Sequence, residues 1–244
     1  MGGEARIIKE GEPLGIMYGG RWVRSFAELQ DNPANKNAVA SNYVVNPAGF
    51  LVLASTRGLP TERPIAYVDA TGTDQFKIGN VNPDFSFGIA NTFKIYKLGV
   101  YALFDGQKGG QIYNFTKQWM FQDLRSGDID QAGKAQDQKI AESFYSAGLY
   151  NGLNASEYFV EDGSYVKLRE LSVGFDVPTK FLPRVGLGRA SGLKLALIGR
   201  NLYTWTNYTG FDPDITAGSD FNYRIDGFKY PPFRTVTGQV EIRF

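Results

Sequence analysis

Carboxylates are the first place to look for chemistry in this chain, because the commoner reactive groups are missing. Its 244 residues contain no cysteine and no histidine. That removes disulfides, thiolate ligands and nucleophiles, the commonest general base and the commonest metal ligand. Asp128, Asp130 and Asp137 are close in sequence, but they sit in a polar stretch and read as solvated loop charge. Asp212 and Asp214 flank Pro213 in FDPDI and read as caps of a turn. A carboxylate pair that cleaves glycosides needs a defined separation and a pocket, and the sequence specifies neither. GLGRASG, 186 to 192, lacks the Lys-Ser/Thr pair and the glycine spacing of a phosphate loop and reads as a turn. No catalytic constellation is present, so the chain reads as a non-enzyme without cofactor or metal. With 26 Lys+Arg against 25 Asp+Glu, it has no net field to attract nucleic acid.

Aromatic side chains are the remaining candidates for ligand contact. They make up 14% of the chain. Trp119, Tyr145, Tyr150, Tyr208 and Phe211 fall in segments that read as loops and could contact a ligand or a partner. The plainer alternative is that they pack those loops down. Tyr203 and Trp205, at the end of an alternating run, fit a membrane-interface girdle better.

The elements that must position these residues alternate with period two. TVTGQVEIRF, the last ten residues, puts Val236, Gly238, Val240, Ile242 and Phe244 on one face. Thr237, Gln239, Glu241 and Arg243 occupy the other. Similar runs cover Asp84–Ile95, Lys97–Asp105, Tyr165–Val177 and Leu193–Trp205, with weaker ones over Pro13–Val23 and Ala5–Lys9. The total is about seven strands. Asp84–Ile95 and Lys97–Asp105 form a hairpin turning near Tyr96 and Lys97. Short and very long connections alternate, so up-and-down strands would place the long loops at one end and the short turns at the other. Two short helices are expected inside the longest loop, over Ile112–Leu124 and Gln138–Leu149. No stretch is apolar enough for a membrane-spanning helix. A membrane strand, however, shows only every second residue to lipid. With the C-terminal Phe on the periplasmic side, every short connection falls on that side. Seven strands are too few to close a barrel. The expectation is therefore that residues 1–244 are the C-terminal portion of a longer polypeptide.

Five segments, in order, resemble the SusC/RagA type of TonB-dependent outer-membrane transporters. They are EGEPLGIMYG (10–19), IGNVNPDFSFGIANTFKIYKLGVYALFDGQKGGQIYN (78–114), EYFVEDGSYVKLRELSVGFDVP (157–178), LKLALIGRNLYTWTNYTGFDPD (193–214) and YPPFRTVTGQVEIRF (230–244). The resemblance implies an all-β, antiparallel transmembrane barrel portion, about seven strands of a barrel of about twenty-two, with short helices in long extracellular loops. It implies an outer-membrane importer of oligosaccharides or other nutrients, its ligand a glycan or a peptide. A SusD-like surface lipoprotein would be its partner. The TonB complex would be contacted through an N-terminal part outside these residues. It also implies that Gly238, Val240, Ile242 and Phe244 carry the signal read by the barrel-assembly machinery. The family's Asp-rich loop corresponds here to VDATGTDQF. That stretch holds only Asp69 and Asp74, too few for a calcium loop, and is expected to be a turn. Lumen-facing residues would include Lys194, Arg200, Glu241 and Arg243, with outer-membrane lipid on the opposite face. Two alternatives are a soluble carbohydrate-binding β-sandwich and a passive outer-membrane barrel or adhesin.

Overall fold

The computed structural model describes residues 8–150, 154–214 and 224–244. In chain order the strands among them are β1 (Ile16–Gly19), β2 (Tyr43–Val45), β3 (Leu51–Leu53), β4 (Phe76–Asn80), β5 (Pro83–Ile95), β6 (Leu98–Gly109), β7 (Gln111–Tyr113), β8 (Val160–Asp162), β9 (Tyr165–Val177), β10 (Gly192–Thr206) and β11 (Thr235–Arg243). The α-helices are α1 (Phe26–Leu29) and α2 (Phe115–Gln122). The chain divides into two units. A loop unit comprises Met1–Asn82, Gln111–Glu161 and Thr216–Lys229. A sheet unit comprises Pro83–Gly110, Asp162–Ile215 and Tyr230–Phe244.

The sheet unit is built on one antiparallel sheet of order β11-β10-β9-β6-β5. The five strongest alternating runs become these five strands. β5 and β6 join through Tyr96 and Lys97, with Tyr96 in the left-handed region at φ 54°. Cross-strand registry lines the apolar residues into continuous rows. Ile95, Leu98, Phe175, Leu195 and Val240 form one row across all five strands, and Phe93, Val100, Val173, Leu197 and Gly238 form the next. The opposite face carries rows such as Thr92, Tyr101, Ser172, Ile198 and Thr237. Lys194 and Glu241 are cross-strand neighbours on that polar face, and Arg200 there donates to Glu170 at 2.9 Å. In a soluble sandwich the apolar rows would be sealed against a second sheet. Here Phe93 is 60% exposed, Leu197 58% and Val240 65%.

The large sheet has five strands, not seven. Pro13–Val23 yields only the four residues of β1. Pro13 lacks an amide donor, and Gly15 is left-handed at φ 94°, so the pairing that a long strand needs fails at its start. β1 instead pairs with β4, and its Ile16 and Met17 are buried. The strand expected over Ala5–Lys9 lies largely outside the described residues.

The loop unit has a conventional protein core that includes Met17, Phe50, Phe121, Phe144, Leu149 and Phe159. Of the two expected helices, the first is α2. Its N-cap Asn114 accepts from the Lys117 amide at 2.9 Å. The second is a single π-helical stretch, Phe144–Leu149, which buries Phe144, Tyr145 and Leu149. The two-residue-period reading missed the small pairs β1–β4, β2–β3 and β7–β8, because three to five residues give too few alternations to detect. At Gly79 on β4, any Cβ would lie 2.6 Å from Met17 and 2.9 Å from Gln111 and Val160, so a larger residue there would force these side chains to shift. Phe121 is fully buried and meets Tyr145 and Phe159 edge-on, with ring centroids 5.6 and 5.4 Å apart. Phe121→Ala is expected to destabilise the loop unit by about 3–5 kcal/mol. Limited proteolysis of the full-length protein checks this. New cuts should appear within 115–161, and the five-stranded sheet should stay protected.

Candidate functional site

The first half of β9 does not alternate, and the reason is a bulge. Opposite β6, Leu103 pairs with Glu170 and the adjacent Phe104 pairs with Leu168, so Arg169 is an extra residue. β10 carries its own irregularity between Arg200 and Tyr203, where Asn201 is left-handed at φ 51°. Asn tolerates that conformation better than most residues. The β9 bulge lets Arg169 meet Asp105 of β6, with Nε 2.7 and 2.8 Å from the two carboxylate oxygens.

A charged cluster forms around this bulge. Lys167 is 1% exposed, and its Nζ lies 2.5 and 2.6 Å from the two oxygens of Asp212. Asp214 Oδ2 lies 3.5 Å from the same ammonium and also accepts from Arg169 Nη2. Tyr165 donates its hydroxyl to Asp214 Oδ1 at 3.0 Å. The Asp214 amide donates to Asp212 Oδ1 at 2.8 Å, closing the turn expected around Pro213. A buried ammonium persists only when it is paired and hydrogen-bonded. Asp212 and Asp214 therefore do more than cap a turn: they pin the segment after β10 onto the sheet. Gly210 completes the strap, since a Cβ there would fall 2.4 Å from the Tyr208 ring.

This arrangement binds and positions, and it is poorly suited to proton transfer. Burial pushes the Asp214 carboxyl up, but the Arg169 hydrogen bond and the charges of Lys167 and Arg169 outweigh it, and the group is held below the ordinary carboxylate range. A carboxylate kept ionised in this way is a weak general acid. The other acidic candidates behave as loop residues. Asp128 pairs with Lys117 at 2.9 Å, and Asp130 caps the Ala132 amide at 2.8 Å. Asp69 accepts from the Thr71 amide, the Thr71 hydroxyl and the Thr73 amide, forming the expected turn. Gly186, at φ 77°, ends the 3-10 stretch Thr179–Val185 inside GLGRASG.

The structure brings together only part of the aromatic set. Trp119 on α2 packs edge-on to Tyr150 at 6.2 Å and to Phe115 at 6.0 Å. Tyr145 is buried against Phe121 and Phe144. Tyr208 and Phe211 belong to the sheet unit. Tyr208 is buried, whereas Phe211, beside the pinned Asp212, is 75% exposed. Tyr203 and Trp205 contact each other at 4.7 Å on the apolar face of β10. Gly238, Val240 and Ile242 lie along β11 at the sheet's edge and Phe244 follows its last residue, with the three apolar side chains exposed. Lys167, Arg169, Asp105 and Tyr165 were missed by sequence reasoning. For Lys167, Arg169 and Tyr165 the one signal was the failed alternation in YVKLREL, and Asp105 carried none.

Comparison with known proteins points the same way. No protein-family model matches the chain. It is 27% identical over 251 residues to TonB-dependent receptor P3 of Formosa agariphila, covering 99% of this chain and 23% of that protein. TonB-dependent receptor P26 of the same organism is 25% identical over 185 residues, covering 70% of this chain and 18% of the relative. Among solved structures, the RagAB peptide transporter superposes with a TM-score of 0.60 at 17% identity, over 98% of this chain and 23% of the matched chain. The RagAB peptide importer in its open-open state gives 0.58 at 17% identity, with the same coverages. The chain thus spans about a quarter of these relatives or less. The resemblance to SusC/RagA-type TonB-dependent receptors holds along the chain, and its antiparallel fold is that of a portion of their barrels.

Two outcomes follow from the charged cluster. Lys167→Met leaves Asp212 buried without its cation and is expected to cost about 3–5 kcal/mol. Adding Asp212→Asn should recover part of that loss in a denaturation double-mutant cycle. For Asp214 the folded-state value is depressed, so its stabilising contribution is complete above the ordinary carboxylate value of about 3.9. The contribution disappears as pH falls through the lower folded value. Asp214→Asn should therefore flatten the acid limb of the denaturant midpoint measured between neutral pH and pH 2.

Proposed function

We propose that this chain is the C-terminal part of the barrel of an outer-membrane, TonB-dependent nutrient importer. The observation that carries the reading is the pair of unlike sheet faces. Apolar rows that run unbroken across five strands and remain exposed need a hydrocarbon neighbour, and the opposite polar face suits a wet interior. Tyr203 and Trp205 then form part of the interfacial girdle. With Phe244 at the periplasmic end, the long connections between the strands are extracellular.

The finer assignments follow from the family resemblance. The imported ligand is a glycan or a peptide. A SusD-like lipoprotein docks on the outer loops, and the TonB complex acts through a part of the protein outside these residues. Trp119, Tyr145, Tyr150, Tyr208 and Phe211 are the candidate ligand or lid contacts. Among them Phe211 presents the largest free aromatic surface. Gly238, Val240, Ile242 and Phe244 form the segment recognised by the barrel-assembly machinery. The chain performs no covalent chemistry.

Lipid exposure has a direct test. Val173→Lys, in the middle of β9 on the apolar face, should destabilise the folded barrel by about 2–4 kcal/mol. Ser172→Lys, one residue away on the polar face, should cost far less. Urea unfolding of the full-length protein in lipid vesicles measures both. Equal costs would contradict the proposed membrane face. Deleting Phe244 should lower the amount of heat-modifiable, outer-membrane-inserted protein, and unchanged insertion would remove the assembly role.

A further inference from the structure

The connection between β9 and β10, residues 178–192, concentrates charge of one sign. It carries Lys180, Arg184 and Arg189 and no acidic residue, in a chain whose charges otherwise nearly cancel. All three side chains are exposed, and none forms an ion pair among the described residues. The connection is nevertheless fixed in shape. The Phe181 amide donates to the Pro178 carbonyl at 2.9 Å, and the Leu187 amide to the Leu182 carbonyl at 2.9 Å. The Ser191 amide donates to the Arg243 carbonyl of β11 at 2.7 Å. Leu182 is buried, whereas Phe181 and Val185 are exposed. Lys180 Nζ lies 5.2 Å from the centre of the Phe181 ring, and the Arg184 guanidinium carbon 5.4 Å from it. Two cations therefore flank one exposed aromatic ring.

This connection begins where the apolar rows of the sheet stop. Val177, Leu193 and Ile242 form the nearest row, and Pro178 follows Val177 directly. The β5–β6 turn ends at the same level. The Asp176 amide donates to the Lys97 carbonyl at 2.8 Å, and that turn adds the exposed Tyr96 and Lys97. The acidic side chains at this end of the sheet, Asp176 and Glu241, belong to the polar face and have cations of their own there. Asp176 lies opposite Lys194, and Glu241 accepts from Arg243 Nε at 2.7 Å. A soluble polyanion would use the cations of the connection but leave Phe181 and Val185 in water. An apolar protein segment would cover those two and strand the cations. An amphiphile whose anionic head is joined to a hydrocarbon tail satisfies both halves.

We propose that the β9–β10 connection is a docking site for an anionic phospholipid of the periplasmic leaflet. Lys180 and Arg184 hold its phosphate, Phe181 and Val185 meet its first acyl carbons, and Arg189 adds to the attraction. The leaflet assignment rests on the barrel reading above. The test uses the full-length protein purified from outer membranes in detergent. Phosphatidylglycerol and phosphatidylcholine of matched acyl chains are added in equal amounts, and the retained lipids are counted by native mass spectrometry. Phosphatidylglycerol should be retained in preference, and Lys180→Gln/Arg184→Gln/Arg189→Gln should lower that preference by about tenfold or more. The three side chains are exposed, so the fold should tolerate the change. Phe181→Ser keeps every cation and should also lower the phosphatidylglycerol count, which a purely ionic site would not show. The proposal is overturned if the two lipids are retained equally, if the triple variant keeps the preference, or if Phe181→Ser changes nothing. Displacement of the lipid by a tenfold excess of glycerol phosphate or of hexaglutamate also overturns it, since the site would then be one for a soluble anion or an acidic polypeptide. Heat-modifiable migration of the same samples reads the barrel separately. Folded barrels without a lipid preference count against the docking site alone. Equal costs for Val173→Lys and Ser172→Lys count against the membrane face and take the docking site with it.

Discussion

Hydrocarbon solvates oily side chains but offers no hydrogen bonds, and most of this architecture follows from meeting both conditions together. A β-sheet satisfies its interior backbone groups by pairing, which leaves side chains to decide what each face touches. Here registry across β5, β6, β9, β10 and β11 gathers one parity into apolar rows and the other into polar ones. Among the described residues no second sheet covers the apolar rows. The sheet is therefore stabilised by its surroundings more than by a core of its own, and its buried apolar side chains are few. The loop unit obeys the opposite rule. It packs Phe50, Phe121, Phe144 and Phe159 inward as a water-soluble domain does.

Charge does in the sheet unit what packing does in the loop unit. The strap after β10 has little apolar surface to bury, since Phe211 points into solvent and, among its described residues, the enclosed apolar groups are Tyr208 and Pro213. Its attachment instead comes from Asp212 and Asp214 meeting Lys167 and Arg169. Such a cluster costs desolvation and returns it only when nearly every polar atom is satisfied. Tyr165 and the Asp214 amide supply the remaining bonds. The result fixes geometry more than it adds stability. In the loop unit Glu62 plays a comparable part, holding Asn46 and Arg57 at once.

What was legible in the sequence depended on how far each pattern repeats. The runs Leu193, Leu195, Leu197 and Val236, Gly238, Val240, Ile242 repeat often enough to mark each strand and the parity of its apolar face. The Tyr96–Lys97 turn followed from its short gap between two such runs. Pro13–Val23 misled because its apolar residues are real but its Pro13 and Gly15 break the pairing, so they serve the loop core instead. The second expected helix became a π-helical stretch, because burial of Phe144, Tyr145 and Leu149 is compatible with either winding. The charged cluster was invisible. Lys167 and Asp212 are 45 residues apart, and nothing local marks them as partners. The Asp105–Arg169 contact also needed a bulge that sequence spacing does not announce.

That extra residue on β9 has a consequence for anyone scanning this strand by substitution. Leu171, Val173 and Phe175 share the apolar face at odd positions, yet beyond Arg169 the same face is taken by Leu168 and Val166 at even ones. Tolerance to polar replacement should therefore change phase part-way along a single strand. A reader of mutational or evolutionary profiles who assumes one unbroken alternation would assign inside and outside the wrong way round for a third of its length.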